Sequence, residues 1–468
     1  MEKFYVTTPI YYVNAAPHIG SLYTTLAADS IARYYRLKLG SENVLFLTGT
    51  DEHGQKIAES AEKSGMDPKS FADSVVPLFK DAWKSANISY DYFIRTTDEG
   101  HKKYVKEVFE KIYAAGHIYK GLYEGMYCVG CEKFITETEM VNARCPLHPD
   151  KDLIHQKEEN YFFRLKEFAP RLLELIKNGE YDIQPASRKS EIISRLEQGV
   201  EDISISRETV SWGIPIPWDE KHSFYVWVEA LCNYYTATRS IEGKEDFWPP
   251  QLQLVGKDIV WFHTVIWQAL LLAAELSLPK TIFAHGFFTI DGQKMSKSLG
   301  NVITPAQIIE RYSVDGARYV LMSANQFGND GDISLAKFDE AYNADLAHGL
   351  GNLVSRVAKL AEGETGLERP HSFTPSYVQL VETYLLDQAL DDIWKRIKEA
   401  DAYLNKHEPW KIKDNPEKRT EIVVSAAKDV AQIAYDIQPF MPDTAEKILQ
   451  QFCGKTIVVE KPYFMKIT

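Results

Sequence analysis

The sequence lacks a long uninterrupted hydrophobic run. Its most apolar window, Asp258–Leu278, still contains Trp261, His263, Thr264 and Gln268, and so predicts a buried helix rather than a membrane span. The N-terminus also lacks a basic segment followed by an apolar stretch and a cleavage site, and enters a strand-like segment at once. We therefore expect a cytoplasmic protein with no membrane contact.

Basic residues are in deficit, since 53 Lys and Arg stand against 66 Asp and Glu, giving a net charge of −13. This balance argues against nucleic-acid binding through the overall field of the protein, but it leaves local basic patches open. The window Trp394–Thr420 is mildly basic, and an ordinary solvated helix face is the alternative interpretation. A length of 468 residues predicts several domains, and we see no internal repeat.

Cysteine is scarce, with five in the chain, yet three of them cluster. In a cytoplasmic chain such a cluster indicates a metal before a disulfide. Two pairs of candidate ligands each have two residues between their members. The first pair is Cys128 and Cys131, and the second is Cys145 and His148. Four such ligands predict a closed, tetrahedral, structural zinc site. The predicted ligands are Cys128, Cys131, Cys145 and His148. His155 is an alternative fourth ligand, and free thiols are the alternative to a metal.

The order of elements predicts an α/β fold. A buried strand at Phe4–Val13 precedes a helix that begins near Pro17 and ends at Gly40, and a second buried strand follows at Val44–Leu47. This order implies a parallel sheet with ligands at the carboxyl ends of its strands. We predict a split Rossmann-like catalytic domain (1–117 and 224–288), a zinc-bearing insertion (118–223), a connective segment (289–340) and an α-helical domain (341–468).

Two short segments have the chemistry of a phosphate site. At the first helix start, backbone N–H groups favour anions, His18 adds an imidazole donor, and Gly20 permits close approach. Much later, Lys294 and Lys297 lie in a segment with glycines on either side, where two cations can close over phosphate charge. Taken singly, a structural histidine and a solvated lysine loop are the alternatives.

The two segments together resemble the signature motifs of class I aminoacyl-tRNA synthetases. Three more segments, Thr8–Asn14, Phe224–Ala230 and Gly256–His263, resemble the methionyl-tRNA synthetase family. The resemblance implies ATP with Mg²⁺ as substrate, and His18, Lys294 and Lys297 as catalytic residues. The implied ATP-binding residues are Pro17, His18, Gly20, Ser21, Lys294, Met295, Ser296, Lys297 and Ser298. The family's usual first motif ends in a second histidine, where this chain has Ser21.

The same resemblance implies a methionine pocket. Its residues would be Ile10, Tyr12, Asp51, Trp227, Ala230, Tyr234, Ile259 and His263, with Asp51 binding the substrate ammonium. The chemistry agrees, because a polarizable thioether gains from aromatic walls such as Tyr12 and Trp227. A hydroxyl or imidazole, from Tyr12 or His263, could donate weakly to the sulfur. Taken singly, each aromatic residue is more often part of a core.

In the helical region, Asn352 and Arg356 lie one turn apart on one face, and Trp410 follows a helix break at Pro409. The resemblance implies that Asn352, Arg356 and Trp410 read the CAU anticodon, since an indole can stack on a loop base while amide and guanidinium groups read base edges. A packed tryptophan and an ordinary polar pair are the alternatives.

These expectations combine into one function. The protein would attach L-methionine to tRNA(Met) through a methionyl-adenylate, with release of pyrophosphate and AMP. The rival interpretations are a class I synthetase of different amino-acid specificity and a catalytically silent tRNA-binding paralogue. The chain has no room for the extra hydrolytic domain of the larger aliphatic-specific enzymes. We expect one structural zinc ion and a monomer.

Overall fold

The computed structural model describes residues 2–130, 133–135, 140–146, 148–208, 210, 212–290, 292–294 and 302–467. The chain folds into two compact units. Unit 1 contains residues up to Pro17, Val44–Asp81 and Tyr90–His285, and unit 2 contains His18–Asn43, Ala82–Ser89 and the chain from Gly286 onward. Within the described residues, no helix is both long enough and apolar enough to cross a membrane.

The strands, in chain order, are β1 Phe4–Tyr12, β2 Val44–Asp51, β3 Tyr92–Arg95, β4 Ile118–Cys128, β5 Lys133–Ile135, β6 Ile154–Phe163, β7 Asp182–Gln184, β8 Ile203–Ser204, β9 Ser206–Arg207, β10 Pro215–Ile216, β11 Asp219–Phe224, β12 Leu252–Gly256, β13 Thr281–His285, β14 Phe288–Ile290, β15 Gln293–Lys294 and β16 Gly331–Ile333.

The α-helices are α1 Ile19–Leu39, α2 Gln55–Lys63, α3 Pro68–Ser85, α4 Glu99–Ala114, α5 Leu165–Asn178, α6 Ala186–Glu197, α7 Val226–Leu231, α8 Asn233–Ser240, α9 Trp267–Ala273, α10 Pro305–Met322, α11 Leu335–Ala341, α12 Gly351–Leu360, α13 Pro375–Glu382, α14 Leu386–His407, α15 Pro416–Ile437 and α16 Pro442–Cys453. Among the described residues there are also two π-helical segments, Phe262–Ile266 and Tyr342–Leu350, and three short 3₁₀ turns, Ser41–Asn43, Glu245–Phe247 and Pro409–Lys411.

A six-stranded sheet in the order β3-β2-β1-β12-β13-β7 forms the centre of unit 1. All five neighbouring pairs are parallel. Strand β2 is buried along its whole length, as expected for a strand covered on both faces. The predicted α/β class and its parallel sheet are therefore confirmed, and the strands β1, β2 and β12 all point their carboxyl ends to the same edge.

Two antiparallel sheets also belong to unit 1. Strands β5-β4-β6-β8 form the larger one and β10-β11-β9 the smaller. Both lie in the segment predicted as an insertion, but that segment is not wholly separate from the central sheet. Strand β7 pairs in parallel with β13, with Ile183 opposite Ile282. The predicted domain boundaries stay a prediction, because the compact units divide the chain differently.

Unit 2 combines α1 with the C-terminal helices. Most of α1 is buried except in its last turn, and a fully buried ion pair links Asp29 of α1 to Arg318 of α10 at 2.7 Å. The Arg318 guanidinium also donates to the carbonyls of Phe440 and Pro439, which follow α15. The helix that carries His18 at its start is thereby joined to the helical C-terminal region.

Candidate active site

One cavity of unit 1 lies at the carboxyl ends of β1 and β2 and has a volume of about 340 Å³. The structure brings together there all eight residues that were predicted to hold the amino acid. They are Ile10, Tyr12, Asp51, Trp227, Ala230, Tyr234, Ile259 and His263. Their convergence is a geometric finding, and their contact with methionine stays a prediction.

Two parallel strands place the polar end of the cavity. Tyr12 and Asp51 are the last residues of β1 and β2 and lie opposite each other in the ladder. Asp51 is buried, and the next residue, Glu52, is fixed by the guanidinium of Arg95, whose Nε donates to Oε1 at 2.7 Å. Thr97 donates to the other carboxylate oxygen of Glu52 at 2.6 Å. The Asp51 carboxylate therefore leaves the sheet from a rigid backbone.

The aromatic wall comes from two helical segments. The Trp227 indole of α7 stacks on the Phe262 ring with centroids 4.5 Å apart and an angle of 20° between the planes. Phe262 begins the π-helical turn that contains His263, and such turns are frequent at functional sites. Stacked rings with little freedom suit a pocket for a flexible, polarizable side chain.

His263 and Tyr234 form a buried pair beside this wall. The His263 Nδ1–H donates to the carbonyl of Ile259 at 2.9 Å, and the ring is neutral because burial lowers its pKa to about 4. Its Nε2 must then accept, so the Tyr234 hydroxyl donates to it at 2.7 Å. Burial also raises the pKa of Tyr234, and the charges of Tyr11 and Asp51 add to this. In this arrangement His263 has no N–H left to donate to a sulfur.

At the start of α1 in unit 2, His18 and Ser21 form a capping box. The His18 Nδ1 accepts from the backbone N–H groups of Gly20 at 3.0 Å and Ser21 at 3.4 Å, and the Ser21 hydroxyl oxygen accepts from the His18 N–H at 3.1 Å. In the neutral ring this leaves the proton on Nε2. Ser21, which replaces the usual second histidine, thus helps to hold the tautomer and orientation of His18.

The second phosphate motif follows a short hairpin of the same unit. Lys294 ends β15, where its backbone pairs with Thr289 of β14, and Gly292 forms the turn with a φ of +71°. Met295, Ser296, Lys297 and Ser298 lie outside the described residues, as does the side chain of Lys294. Beyond them, the Ile303 carbonyl accepts from the Ile19 N–H at 3.2 Å. The chain after this motif is thus hydrogen-bonded to the helix start that bears His18.

Three of the four predicted metal ligands converge. The ligand atoms of Cys128, Cys145 and His148 all lie within 4.8 Å of one another, and His148 Nδ1 is 3.9 and 4.0 Å from the two sulfur atoms. Zinc–sulfur bonds of about 2.3 Å in a tetrahedron separate ligand atoms by roughly 3.5–3.8 Å, so the donor set fits. Cys131 lies outside the described residues. The alternative ligand His155 instead faces Glu124, at 3.5 Å.

Comparison with known proteins identifies the chain. The family model described as tRNA synthetases class I (M) matches residues 4–154 and 137–358. A solved structure of Mycobacterium tuberculosis methionyl-tRNA synthetase in complex with methionyl-adenylate superposes with a TM-score of 0.91, is 34% identical, and covers 100% of each chain. The chain belongs to the methionyl-tRNA synthetase family.

Curated relatives in this family agree. The methionine–tRNA ligase of Caldanaerobacter subterraneus is 43% identical over 96% of this chain and 74% of its own length. That of a Nostoc species is 41% identical over 96% of this chain and 90% of its own length. The protein is accordingly an aminoacyl-tRNA synthetase, and the interpretation as a silent paralogue is not favoured.

In this family member the three residues predicted to read the anticodon also meet. Asn352 and Arg356 of α12 line an open cavity of about 770 Å³, and the Arg356 guanidinium lies 4.7 Å from the ring centroid of Trp410. Trp410 is 42% exposed, in the 3₁₀ turn after α14. Its ring is therefore accessible on a surface that also presents polar groups.

Sequence reasoning missed several residues of both cavities. Phe262 and Asn233 line the first, and a helical count from Ile259 would have indicated Phe262. Lys56, whose Nζ lies 5.9 Å from the Tyr12 ring centroid, carried no local pattern. In the second cavity, Asp401 and Asn405 of α14 accept from Arg356, each at 2.6 Å. Their one-turn spacing on a polar face could have suggested them.

Proposed function

We propose that the protein activates L-methionine with ATP and transfers it to tRNA(Met). The methionine carboxylate attacks the α-phosphate of ATP, the bond to the β-phosphate oxygen breaks, and pyrophosphate leaves. The tRNA 3′ hydroxyl then attacks the methionyl carbonyl and releases AMP. The observation that carries the proposal is the cavity in which all eight predicted amino-acid residues converge.

In the first step the chain supplies position and charge rather than a nucleophile. The N-terminus of α1 carries the positive end of the helix dipole, which favours phosphate charge, while its first N–H groups donate to His18 Nδ1 and to the Ile303 carbonyl. Held by its capping box, His18 directs its Nε2–H toward the charge that develops on the α-phosphate. Lys294 and Lys297 balance the charge of the leaving pyrophosphate. Mg²⁺ supplies further neutralisation of the ATP phosphates when it is bound.

Recognition of methionine divides between the two ends of the cavity. Asp51 accepts from the ammonium group in a buried place, where a charge-assisted contact contributes about 1.5–3 kcal/mol. Trp227, Phe262 and Ile259 surround the thioether, while Tyr234 and His263 close the far end. The hydroxyl of Tyr12 is the remaining proposed donor to the sulfur.

The metal and RNA sites complete the proposal. Cys128, Cys131, Cys145 and His148 would hold one structural zinc ion, which closes their loops. The face formed by Asn352, Arg356 and Trp410 would bind unstacked bases of the CAU anticodon. The cytoplasmic location and the monomeric state remain predictions from the sequence.

The test is ATP–pyrophosphate exchange with each of the twenty amino acids, followed by charging of tRNA(Met). Exchange with methionine alone, and charging of tRNA(Met), is the expected result. Exchange with another amino acid would overturn the assignment of the cavity. Charging without any amino-acid preference, or no exchange at all, would contradict the proposed activity.

A further inference from the structure

A buried carboxylate lies behind the wall of the amino-acid cavity and has no part in the mechanism above. Glu229 is 0% exposed, and each of its oxygens faces an imidazole. His53 Nδ1 lies 2.8 Å from Oε1, and His101 Nε2 lies 2.9 Å from Oε2. The other nitrogen of His101 is 2.8 Å from the Thr236 hydroxyl. All of these groups are buried in unit 1.

The position of Glu229 in the chain gives this contact its importance. Glu229 lies on α7 between Trp227 and Ala230, which line the cavity. Its partner His53 follows Asp51 by one intervening residue. The hydrogen bond from His53 to Glu229 therefore ties the segment that carries the ammonium-binding carboxylate to the helix that carries the aromatic wall.

The segment after β2 is also held from its other side. Besides the bonds from Arg95 and Thr97, the Glu52 N–H donates to Thr96 Oγ1 at 2.9 Å, and the Trp212 indole donates to the Glu52 carbonyl at 2.6 Å. These contacts fix the segment against β3. The hydrogen bond from His53 to Glu229 is a separate contact, and it holds the segment after β2 to α7.

Burying the charged Glu229 carboxylate between two imidazoles costs free energy. Burial by itself raises the pKa of the Glu229 carboxyl, but the imidazoles of His53 and His101 more than reverse this, and its pKa lies below the usual value. Removing a carboxylate from water carries a large desolvation cost, which apolar residues of similar volume would avoid. The carboxylate fixes orientation, because its two oxygens set the positions of the His53 and His101 rings.

We propose that Glu229 is a positioning residue for the amino-acid substrate. Through His53 it fixes the distance between the Asp51 carboxylate and the wall formed by Trp227 and Ala230. It thereby sets where the ammonium group of methionine lies when the thioether is seated. This inference rests on the proposed function of the cavity, and it adds three residues, Glu229, His53 and His101, that surround the cavity without lining it.

Two ligands that differ by one amino group test it. L-Methioninol spans both ends of the cavity, whereas 4-(methylthio)butan-1-ol has the same thioether and hydroxyl without the amino group. Both are used as inhibitors of methionine-dependent ATP–pyrophosphate exchange. In Glu229→Gln we expect the Ki of L-methioninol to rise at least tenfold and the Ki of the desamino compound to change less than twofold. The KM for ATP should stay within twofold of the wild-type value.

Glu158→Gln is the matched control. It makes the same change at another buried carboxylate of unit 1, on β6, which accepts from the Glu208 N–H at 2.8 Å and does not line the cavity. Both inhibition constants should stay within twofold. Equal losses for both inhibitors in Glu229→Gln would mean that the cavity as a whole is damaged, and would overturn the positioning role. No loss for either inhibitor would overturn it as well.

A second pair of variants covers the case in which Glu229→Gln does not fold. His53→Asn keeps an N–H donor close to the place of Nδ1, whereas His53→Leu keeps bulk without a donor. We expect His53→Leu to reproduce the selective loss of L-methioninol binding and His53→Asn to restore it to within threefold. Equal behaviour of the two variants would contradict the proposal. If the wild-type protein shows no methionine-dependent exchange, the proposed function fails instead.

Discussion

At the scale of the residue, His263 shows how burial fixes a protonation state. Its ring is enclosed, its Nδ1–H is spent on the Ile259 carbonyl, and its Nε2 accepts from Tyr234. A proton added to Nε2 would break the hydrogen bond from Tyr234 and would place a positive charge in a buried position. The folded protein therefore keeps this ring neutral down to a pKa of about 4.

This neutrality predicts a loss of stability in mild acid. The folded pKa is depressed relative to the unfolded value of about 6.5, so on lowering the pH the unfolded chain takes up the proton first. The free energy of unfolding then falls below about pH 7 and levels off near pH 4, by about 2 kcal/mol between pH 7.5 and pH 5. In His263→Gln, the amide oxygen can still accept from Tyr234, but no group titrates there. The free energy of unfolding of this variant should therefore fall less in acid, by about the amount given above.

Urea unfolding of the wild-type protein and of His263→Gln, each at pH 7.5 and pH 5.0, measures how much the free energy of unfolding falls. The exposed His371→Gln is the control, which should keep the wild-type decrease. An unchanged decrease in His263→Gln would show that the ring is protonated in the folded protein.

At the scale of the element, α1 is secured by the buried carboxylate of Asp29, which pairs with Arg318 of α10 and with Arg33 of α1. Both oxygens of Asp29 are engaged, one by Arg318 at 2.7 Å and the other by the N–H and hydroxyl of Ser89. Burial would raise the pKa of Asp29, but Arg318, Arg33 and Ser89 lower it on balance. Since the folded pKa is the lower one, this contribution is present above about pH 4 and is lost in stronger acid.

Removing Arg318 should therefore be costly. Arg318→Met leaves the buried Asp29 carboxylate with Arg33 and removes the donors to the carbonyls of Phe440 and Pro439, so we expect the free energy of unfolding to fall by about 3–5 kcal/mol. Arg311→Met on the same helix is the matched control, because Arg311 pairs with Asp339 near the surface and such pairs contribute about 0–1 kcal/mol. Chemical denaturation of both variants gives the comparison, and equal losses would contradict the assignment.

The sequence predicted some elements well because their signals are local. The strand β1, the helix α1 and the strand β2 follow from hydrophobic runs and their breaks. Short β7 carried no such signal, and its place in the parallel sheet depends on pairing with β13, far along the chain. The grouping of α1 with the C-terminal helices likewise depends on Arg318, which nothing near Asp29 in the sequence indicates.

The residues of the candidate site likewise fall into some that the sequence predicted and others that it did not. Six of its eight predicted residues lie in the three segments that resemble a family, and all eight were predicted from their position in the chain alone. His101 escaped notice because it reaches Glu229 across 128 positions of the chain, and a lone histidine on a helix carries no pattern. The role of Ser21 needed the backbone geometry of the helix start, since sequence comparison shows only that a histidine is replaced.

At the scale of the whole molecule, two cavities lie in different units and are predicted to bind two different ligands. The first, in unit 1, is lined mainly by aromatic and aliphatic side chains. The second, in unit 2, is lined by Arg356 and Asn352, and the exposed Trp410 lies beside Arg356. If the second binds tRNA alone, damage there should spare amino-acid activation. The two half-reactions can therefore be separated by mutation.

Trp410→Ala should reduce tRNA charging while leaving ATP–pyrophosphate exchange within twofold of wild type. Loss of one stacked base costs about 1–3 kcal/mol, which is roughly 5- to 150-fold in kcat/KM for tRNA. Leu335→Ala is the control, because Leu335 is 43% exposed, similar to Trp410 at 42%, and lies outside the second cavity. A parallel decrease in exchange and charging for Trp410→Ala would refute a role confined to tRNA.

The buried pair of Tyr234 and His263 has a consequence for the accuracy of translation. Because the Tyr234 proton is committed to His263, the hydroxyl oxygen offers only lone pairs to a ligand. Homocysteine, which carries a thiol in place of the methyl thioether, could donate to that oxygen, so this pair does not penalise it. Rejection then depends on the contacts of one missing methyl group, worth about 1–3 kcal/mol or 10- to 200-fold.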